Sequence, residues 1–574
     1  MSKAIPKAAK KKPAKNSGAS TNLNTYLLLA AIMVVTFVAY SNVFTFNFSN
    51  LDDTANILSN KQITAITAQH LQQMFSNTYV QMYVPLTMLS YSTDYLFAGA
   101  LNPAYFHFFN LLYHLINIVL VFVFIKKLAQ SNITALVAAA LFAVHPMNVE
   151  TVAWISTRSN LLYTGFGLMA MIFYLMYTGA GYSLKYLAAA VLFFALSLLA
   201  KPALILLPLL LLCIDYYQGR KPGLKLLYDK IPFGLLSAVF LAITLYARST
   251  DVQTHKENFA IINRLFFATY GLAFYAGKLF VPAQLCVVNP FPDAAGPLPV
   301  IFYLSVLIIP VFGLLIYKAG SLKKDVVFGI AFFIISLLLV LQLLPYGYSV
   351  VSERYVYLPY LGLFLIIGQV CNGIYHNAYS FSGMLKPYLL PVFVTLTLFF
   401  SVATYIRASV WETPLTLFND AVVKQPNSYY VFYCSGVAHV LYNDKNGAMS
   451  DYNKAIQLKP GYAEAYSARG SLYDALNNSK SALADYNKAL LLGPYLTDTY
   501  YNRGNNRLVA NDFTAAISNY DVAIKDNPNY DNALCNRGSA WFGLNNLTNA
   551  CADWKKAAGL GNENAITLLQ QHCK

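Results

Sequence analysis

Two adjacent carboxylates, Asp52 and Asp53, follow the first long apolar run of the chain. That run, from about residue 26 to residue 44, predicts a membrane-spanning helix, so the pair lies where the helix meets water. Carboxylates are costly to hold near hydrocarbon, which indicates a functional role. The pair suits general-base catalysis or the binding of a divalent cation through oxygen. A structural alternative is that the two residues only start a short helix.

Further polar residues lie at the ends of other apolar runs, on the same predicted membrane face. They are His145, Glu150, Arg158, Lys201, Glu353, Arg354 and Tyr355. Cationic side chains bind phosphate, and arginine does so bidentately, so Arg158, Arg354 and Lys201 are the predicted phosphate-binding residues. The others, with His107, form a predicted supporting polar cluster. Alternatively, Glu150 and Arg158 pair with each other and only stabilise their turn.

A polar stripe runs along the second apolar run, which extends from about residue 104 to residue 124. His107, Asn110 and His114 share one face of the predicted helix. Inside a bilayer such a stripe must face other helices. Hydrogen bonding between helices therefore explains the stripe better than metal ligation does.

The composition predicts an integral membrane protein. Of the 574 residues, 57% are hydrophobic and only 11% are charged, whereas about 25% are charged in an average soluble domain. The net charge of +15 is carried by an N-terminal tail and by short loops between apolar runs. This distribution encodes orientation across a membrane, so we expect no nucleic-acid partner. A basic surface for RNA or anionic lipid is the weaker alternative.

The pattern of apolar runs and of the segments between them divides the chain into three parts. Residues 1–22 are predicted to be a disordered, basic cytoplasmic tail. Residues 23–408 form a polytopic membrane domain of about eleven spans, with a long first outer loop at 45–103. Residues 248–297 are ambiguous, because counting their apolar stretch as a span would invert the later charge pattern. An odd number of spans places residues 409–574 on the same side as Asp52.

A repeat of fixed period occupies the C-terminal part. Pro426, Pro460, Pro494 and Pro528 follow one another in steps of 34 residues, and three Arg-Gly pairs keep the same step. This is the period of the tetratricopeptide helix pair, so about four units are predicted to stack into an α-solenoid with a concave binding face. The seven cysteines show no paired spacing and predict neither a zinc site nor a disulfide framework.

These features together resemble the transmembrane and tetratricopeptide-repeat protein O-mannosyltransferases and, more widely, the polytopic GT-C glycosyltransferases. The resemblance covers the order of a membrane half and a repeat half. It is closest at Leu51-Asp52-Asp53, at His145 to Glu150, and in the segment from Ser352 to Pro359. It implies an all-α fold and an acidic pair, Asp52 and Asp53, that acts on a polyprenyl-phosphate-linked sugar. The C-terminal Cys-Ala-Asp-Trp-Lys-Lys run is typical of a bacterial repeat terminus.

The expected function is transfer of a mannose-like sugar from a polyprenyl-phosphate donor to a hydroxyl, on protein Ser or Thr, at the non-cytoplasmic face. Mg²⁺ or Mn²⁺ bound by Asp52 and Asp53 is a further expectation. The repeats would bind the polypeptide acceptor or a partner protein. The expected location is a bacterial inner membrane with periplasmic repeats, or the ER membrane in a eukaryote. The alternatives are a membrane-anchored tetratricopeptide scaffold and a flippase or ligase for lipid-linked glycans.

Overall fold

The computed structural model describes residues 17–49, 51–249, 259–293, 296–344 and 347–573, and these residues form helices and loops without a strand. Residues 1–16 of the predicted disordered tail lie outside this part. The first half contains α1 Ser17–Ala39, α2 Ala68–Ser76, α3 Pro85–Ala98, α4 Pro103–Ala129, α5 Asn132–Val144, α6 Val149–Ala153, α7 Arg158–Gly179, α8 Leu184–Ala200, α9 Leu207–Gln218, α10 Leu224–Tyr228, α11 Ile231–Ser249, α12 Ile261–Lys278, α13 Val300–Leu304, α14 Ile308–Lys318, α15 Lys323–Leu337, α16 Tyr360–Tyr375 and α17 Ser382–Ser409.

The second half contains shorter, regularly spaced helices. They are α18 Pro414–Lys424, α19 Tyr429–Leu441, α20 Lys445–Leu458, α21 Ala463–Ala475, α22 Ser479–Leu492, α23 Thr497–Val509, α24 Phe513–Asp526, α25 Asp531–Gly543, α26 Leu547–Gly559 and α27 Glu563–His572. Helices α19 to α26 form the four predicted pairs, and α27 follows as a single final helix. The predicted solenoid is therefore confirmed.

The first half is that of a multi-pass membrane protein. Within the described residues, six helices are long and apolar enough to cross a bilayer, or seven if the bent pair of α5 and the segment Pro146–Ala153 counts as one span. Three shorter apolar helices, α8, α9 and α16, accompany them. The ambiguous stretch is helical as α12, which is not among the candidate spans. The count of about eleven spans remains a prediction.

A sharp bend follows α5 and brings polar residues to the membrane edge. The chain turns by 57° between α5 and Pro146–Ala153. Pro146 has no N–H to continue the hydrogen-bond ladder of α5, so a new helical segment must start there. The segment after the bend carries Glu150, whose side chain is fully buried.

Two features repeat in every helix pair of the solenoid. A Cβ at Gly436, Gly470, Gly504 or Gly538 would lie within 2.5 to 2.8 Å of an aromatic ring of the partner helix, so only glycine permits this close packing. The turn between the two helices contains Asn443, Asn477, Asn511 or Asn545, each in the left-handed conformation with φ of 57° to 60°. Asparagine adopts this conformation more readily than most residues.

A disulfide closes the C-terminal end of the solenoid. Cys551 on α26 is bonded to Cys573, which follows α27, across 22 residues. The prediction that the cysteines form no disulfide is wrong at this position. Sequence spacing did not indicate the pair because the final helix must fold back on α26 before the two sulfurs meet.

The repeats join the membrane half at the end where Asp52 lies. The Asn47 N–H donates to the Glu412 carbonyl at 3.0 Å, just before α18. The indole of Trp411 stacks on that of Trp154, with ring centroids 5.7 Å apart. Lys424 at the end of α18 donates to the Leu285 carbonyl at 2.7 Å. These contacts put the start of the solenoid and the Asp52 loop on one side of the molecule.

Candidate active site

Asp53 points into the protein and holds the surrounding loops together. One of its carboxylate oxygens accepts hydrogen bonds from the Ser49 N–H at 2.7 Å and the Ser49 hydroxyl at 2.8 Å. The other accepts from the Trp154 indole at 3.1 Å and the Ser156 N–H at 2.9 Å. Four donors fill the acceptor sites of the carboxylate. Asp53 therefore fixes the position of its neighbour rather than facing a substrate.

Asp52, unlike Asp53, is partly exposed. Within the described residues its carboxylate forms no hydrogen bond. Burial raises its pKa above the usual range, while the nearby charges of Arg354 and Lys201 act in the opposite direction. A carboxylate with a raised pKa, reachable by a ligand, has the properties of a general base.

Arg354 is held in place by buried Glu150. Its guanidinium forms an ion pair with one Glu150 oxygen, and its backbone N–H donates to the other at 3.0 Å. The guanidinium also lies over the rings of Trp154 and Tyr355, at 5.2 and 5.1 Å. Since 23% of the Arg354 side chain is still exposed, the guanidinium is oriented but accessible to an anion.

Lys201 completes the group of charges around Asp52. Its ammonium donates to the Asn160 side-chain oxygen at 2.7 Å, and the Asn160 amide donates to the Arg354 carbonyl at 3.3 Å. Burial, reinforced by Arg354, lowers the pKa of Lys201 to about 7, although Asp52 and Glu150 oppose the shift. Sequence reasoning missed Asn160 and Trp154, which carry no charge and stand among similar polar and aromatic residues.

Glu353 lies next to Arg354 but belongs to a separate ion-pair network. It binds Arg407 at 2.8 Å, and Arg407 also contacts Asp420 of α18 at 3.2 Å. Burial raises the pKa of Glu353 to about 7, although Arg407 opposes this shift. The network ties the loop that carries Arg354 to the first solenoid helix.

The structure contradicts the predicted phosphate contact of Arg158, because this side chain is fully buried. It forms an ion pair with Asp94 and donates to the Asn110 side chain at 2.7 Å and the Phe106 carbonyl at 2.8 Å. The alternative pairing of Arg158 with Glu150 is also wrong, since Glu150 binds Arg354. Arg158 is a structural residue that joins α7 to α3 and α4.

The predicted histidines lie in the packed interior. His145 is fully buried, contacts the Leu279 carbonyl at 3.0 Å and packs against Phe400. His107 is buried against Phe46. In the polar stripe of α4, His114 contacts the Tyr357 hydroxyl at 2.7 Å, as expected for hydrogen bonding between helices. The described residues contain no group of three potential metal ligands among His, Cys, Asp and Glu.

Replacing Arg158 by Gln is expected to lower the free energy of unfolding by about 3–5 kcal/mol, because Asp94 is left buried without its partner. The measurement is thermal unfolding of the purified protein in detergent. Arg507→Gln is the matched control, since Arg507 and Asp512 form a half-exposed pair at 3.1 Å and should contribute at most about 1 kcal/mol. Equal unfolding temperatures for the two variants would contradict the structural role of Arg158.

A divalent cation does not fit between Asp52 and Asp53. All four acceptor positions of Asp53 are directed at N–H and O–H donors. The charges that act on Asp52 are the cations of Arg354 and Lys201, which would repel a metal ion. We therefore derive no metal-assisted step from this pair.

Comparison with known proteins places this geometry in context. A tetratricopeptide repeat family profile matches residues 463–494. The human protein O-mannosyl-transferase TMTC3 is 24% identical over 476 residues, covering 74% of this chain and 50% of the relative. Protein O-mannosyl-transferase F38B6.6 of Caenorhabditis elegans is 24% identical over 461 residues, covering 74% of this chain and 61% of the relative. The chain is related to the TMTC O-mannosyl-transferases.

The chain spans about half the length of human TMTC3. Among solved structures, YrrB, a TPR protein, matches 34% of this chain and 99% of its own at 18% identity, with a TM-score of 0.25.

Proposed function

We propose that the protein is a membrane glycosyltransferase that moves a mannose-like sugar from a polyprenyl phosphate to a hydroxyl of a polypeptide. The observation that carries the proposal is the position of an accessible carboxylate, Asp52, beside two cations, Lys201 and Arg354, at the edge of the membrane helices. The relationship to the TMTC O-mannosyl-transferases supports the choice of sugar and acceptor.

The proposed reaction is a single displacement. Asp52 takes the proton of the acceptor hydroxyl as its oxygen attacks the anomeric carbon. The bond from that carbon to the phosphate oxygen breaks, and polyprenyl phosphate leaves with the bonding electrons. Arg354 and Lys201 stabilise the charge that develops on the departing phosphate. A single displacement inverts the configuration at the anomeric carbon.

We assign the reaction to the non-cytoplasmic face. Protein disulfides persist mainly in oxidising compartments, and Cys551 and Cys573 form one in the solenoid. The solenoid starts beside the Asp52 loop. Lys126 and Lys127 lie in the last turn of α4, and Lys323 and Lys324 begin α15. These helix ends are remote from Asp52, which agrees with a cytoplasmic position for the basic residues. A bacterial inner membrane with periplasmic repeats fits this arrangement.

The repeats are proposed to bind the polypeptide acceptor through their concave face. The ion pairs from Glu353 through Arg407 to Asp420 keep the first solenoid helix close to Arg354. An acceptor bound along the first repeats would therefore have its hydroxyl-bearing segment near Asp52.

The deciding experiment is reconstitution of the full chain in liposomes with polyprenyl-phosphate mannose and Ser/Thr-containing peptides. Mannosylated peptide and free polyprenyl phosphate should form in equal amounts without an ion gradient. Donor translocation without peptide modification would identify a flippase, and the absence of both would identify a scaffold. Either result would overturn the proposal.

Donor binding is expected to weaken as pH rises through about 7. The pKa of Lys201 is about 7, so the ammonium is charged below this pH and neutral above it. Loss of one charged phosphate contact should lower kcat/KM for the donor by about tenfold. Arginine stays charged over this range, so Lys201→Arg should remove the alkaline decline. A decline that persists in this variant would show that another group controls it.

A further inference from the structure

A polar cavity lies at the end of the membrane helices that is remote from Asp52. Its volume is about 510 Å³. The lining residues come from the ends of α4, α7 and α9, from the loops that follow them, and from the start of α15. They are Lys127, Leu128, Ala129, Gln130, Thr178, Tyr182, Tyr217, Gln218, Arg220 and Lys324.

The cavity lies at the depth of lipid headgroups. The Asn110 amide near the other end of α4 donates to the Trp154 carbonyl, beside the candidate active site. From Asn110 to Lys127 the helix rises by about 26 Å, at about 1.5 Å per residue. The hydrocarbon core of a bilayer is about 30 Å thick. The two sites are therefore separated by about one membrane thickness, and the cavity opens at the opposite surface.

The cavity is lined by positive charge that the described residues neutralise only in part. Its lining contains three cationic side chains and no Asp or Glu. Arg220 is held by Asp215 and Asp229, at 2.8 and 2.7 Å. Lys127 and Lys324, by contrast, form no ion pair with any residue that the structure describes. Both are exposed, and the Lys324 ammonium lies over the ring of Tyr217 at 4.9 Å.

We propose that this cavity binds the phosphate of an anionic lipid headgroup. Two ammonium groups that pair with no acidic residue in the described part of the chain, a fixed guanidinium and the amides of the two glutamines supply N–H donors for the phosphate oxygens. Basic pockets between membrane helices on the cytoplasmic side are suited to such headgroups. The position at the ends of the candidate spans favours a lipid over a soluble phosphate, because the acyl chains of a lipid can stay in the bilayer beside the helices.

A simpler role for one lysine must be separated by experiment. Lys127 lies in the last turn of α4, where a cation also stabilises the helix dipole without any ligand. The test compares the full chain with Lys127→Gln/Lys324→Gln. The matched control is Lys185→Gln/Lys386→Gln, which removes the same charge from two exposed lysines that do not line the cavity.

Each protein is reconstituted in nanodiscs that contain equal amounts of phosphatidylglycerol and phosphatidylcholine. Native mass spectrometry then counts the lipids that stay bound after the protein is released from the nanodisc. The parent and the control should retain phosphatidylglycerol selectively, and the cavity variant should retain at least fivefold less. Unfolding temperatures in phosphatidylcholine alone check that all three proteins are folded.

Two results would overturn the proposal. Equal phosphatidylglycerol retention by the cavity variant and the control would mean that the two lysines do not bind the lipid and that Lys127 only stabilises the end of α4. Displacement of the bound lipid by millimolar inorganic phosphate, with equal thermal protection by phosphate alone, would identify a soluble phosphate as the ligand.

Discussion

Asp52→Asn is expected to lower the rate of sugar transfer by about 10²- to 10⁴-fold, the usual contribution of a general base. The amide cannot accept the proton of the acceptor hydroxyl, so kcat should fall while KM for the donor changes little. Stability should not change, because the Asp52 carboxylate forms no hydrogen bond with the described residues. The measurement is single-turnover transfer from polyprenyl-phosphate mannose to a peptide in liposomes.

Asp53→Asn is the informative control for that variant. An amide nitrogen in place of one carboxylate oxygen would face the N–H and O–H donors of Ser49, or those of Trp154 and Ser156. Two donors facing each other are destabilising when buried, so this variant should unfold at a lower temperature. If Asp52→Asn transfers sugar at the parental rate, the assignment of the base is wrong.

Arg354→Gln is expected to raise KM for the lipid-linked donor and lower kcat, with a combined loss of about 10²- to 10³-fold in kcat/KM. Arg354 is the oriented and accessible guanidinium of the site, and its removal takes away the charge that faces the departing phosphate. Arg354→Lys should recover part of the activity, since it keeps the charge but not the bidentate geometry. Transfer assays over a range of donor concentrations separate the two parameters.

Because Arg354 also neutralises buried Glu150, a second variant must separate binding from folding. Arg354→Gln leaves Glu150 as an unpaired buried carboxylate, which destabilises the protein. Arg354→Gln/Glu150→Gln removes both charges and should recover the unfolding temperature without recovering transfer. Parental transfer by this double variant would exclude Arg354 as the phosphate-binding residue.

The repeats were predictable because each helix pair depends on its own residues and its neighbours. The prolines every 34 residues and the glycines in phase with them mark contacts within one unit. Membrane helices were predictable for a similar reason, since a long apolar run must satisfy its own backbone hydrogen bonds in lipid. In both cases the residues that indicate the structure lie within a few helical turns of one another.

The candidate site was only partly predictable, because its ion pairs join distant segments. Glu150 and Arg354 are 204 residues apart, and the chain before residue 409 contains six arginines that could have been the partner. Asp94, which neutralises Arg158, lies in the first outer loop and was not among the predicted residues. Local sequence patterns do not indicate which of several arginines will pack beside a given carboxylate.

The sequence alone therefore determined the class of this protein: an all-α membrane chain with a tetratricopeptide solenoid and a pair of aspartates at the membrane edge. Only the tertiary structure decided that Asp52 is partly exposed while Asp53 is enclosed by Ser49, Trp154 and Ser156. It also decided that Arg354 is accessible and Arg158 is buried. The physical reason is that periodic patterns report local helix formation, whereas the availability of a charged group depends on which distant residues pack against it.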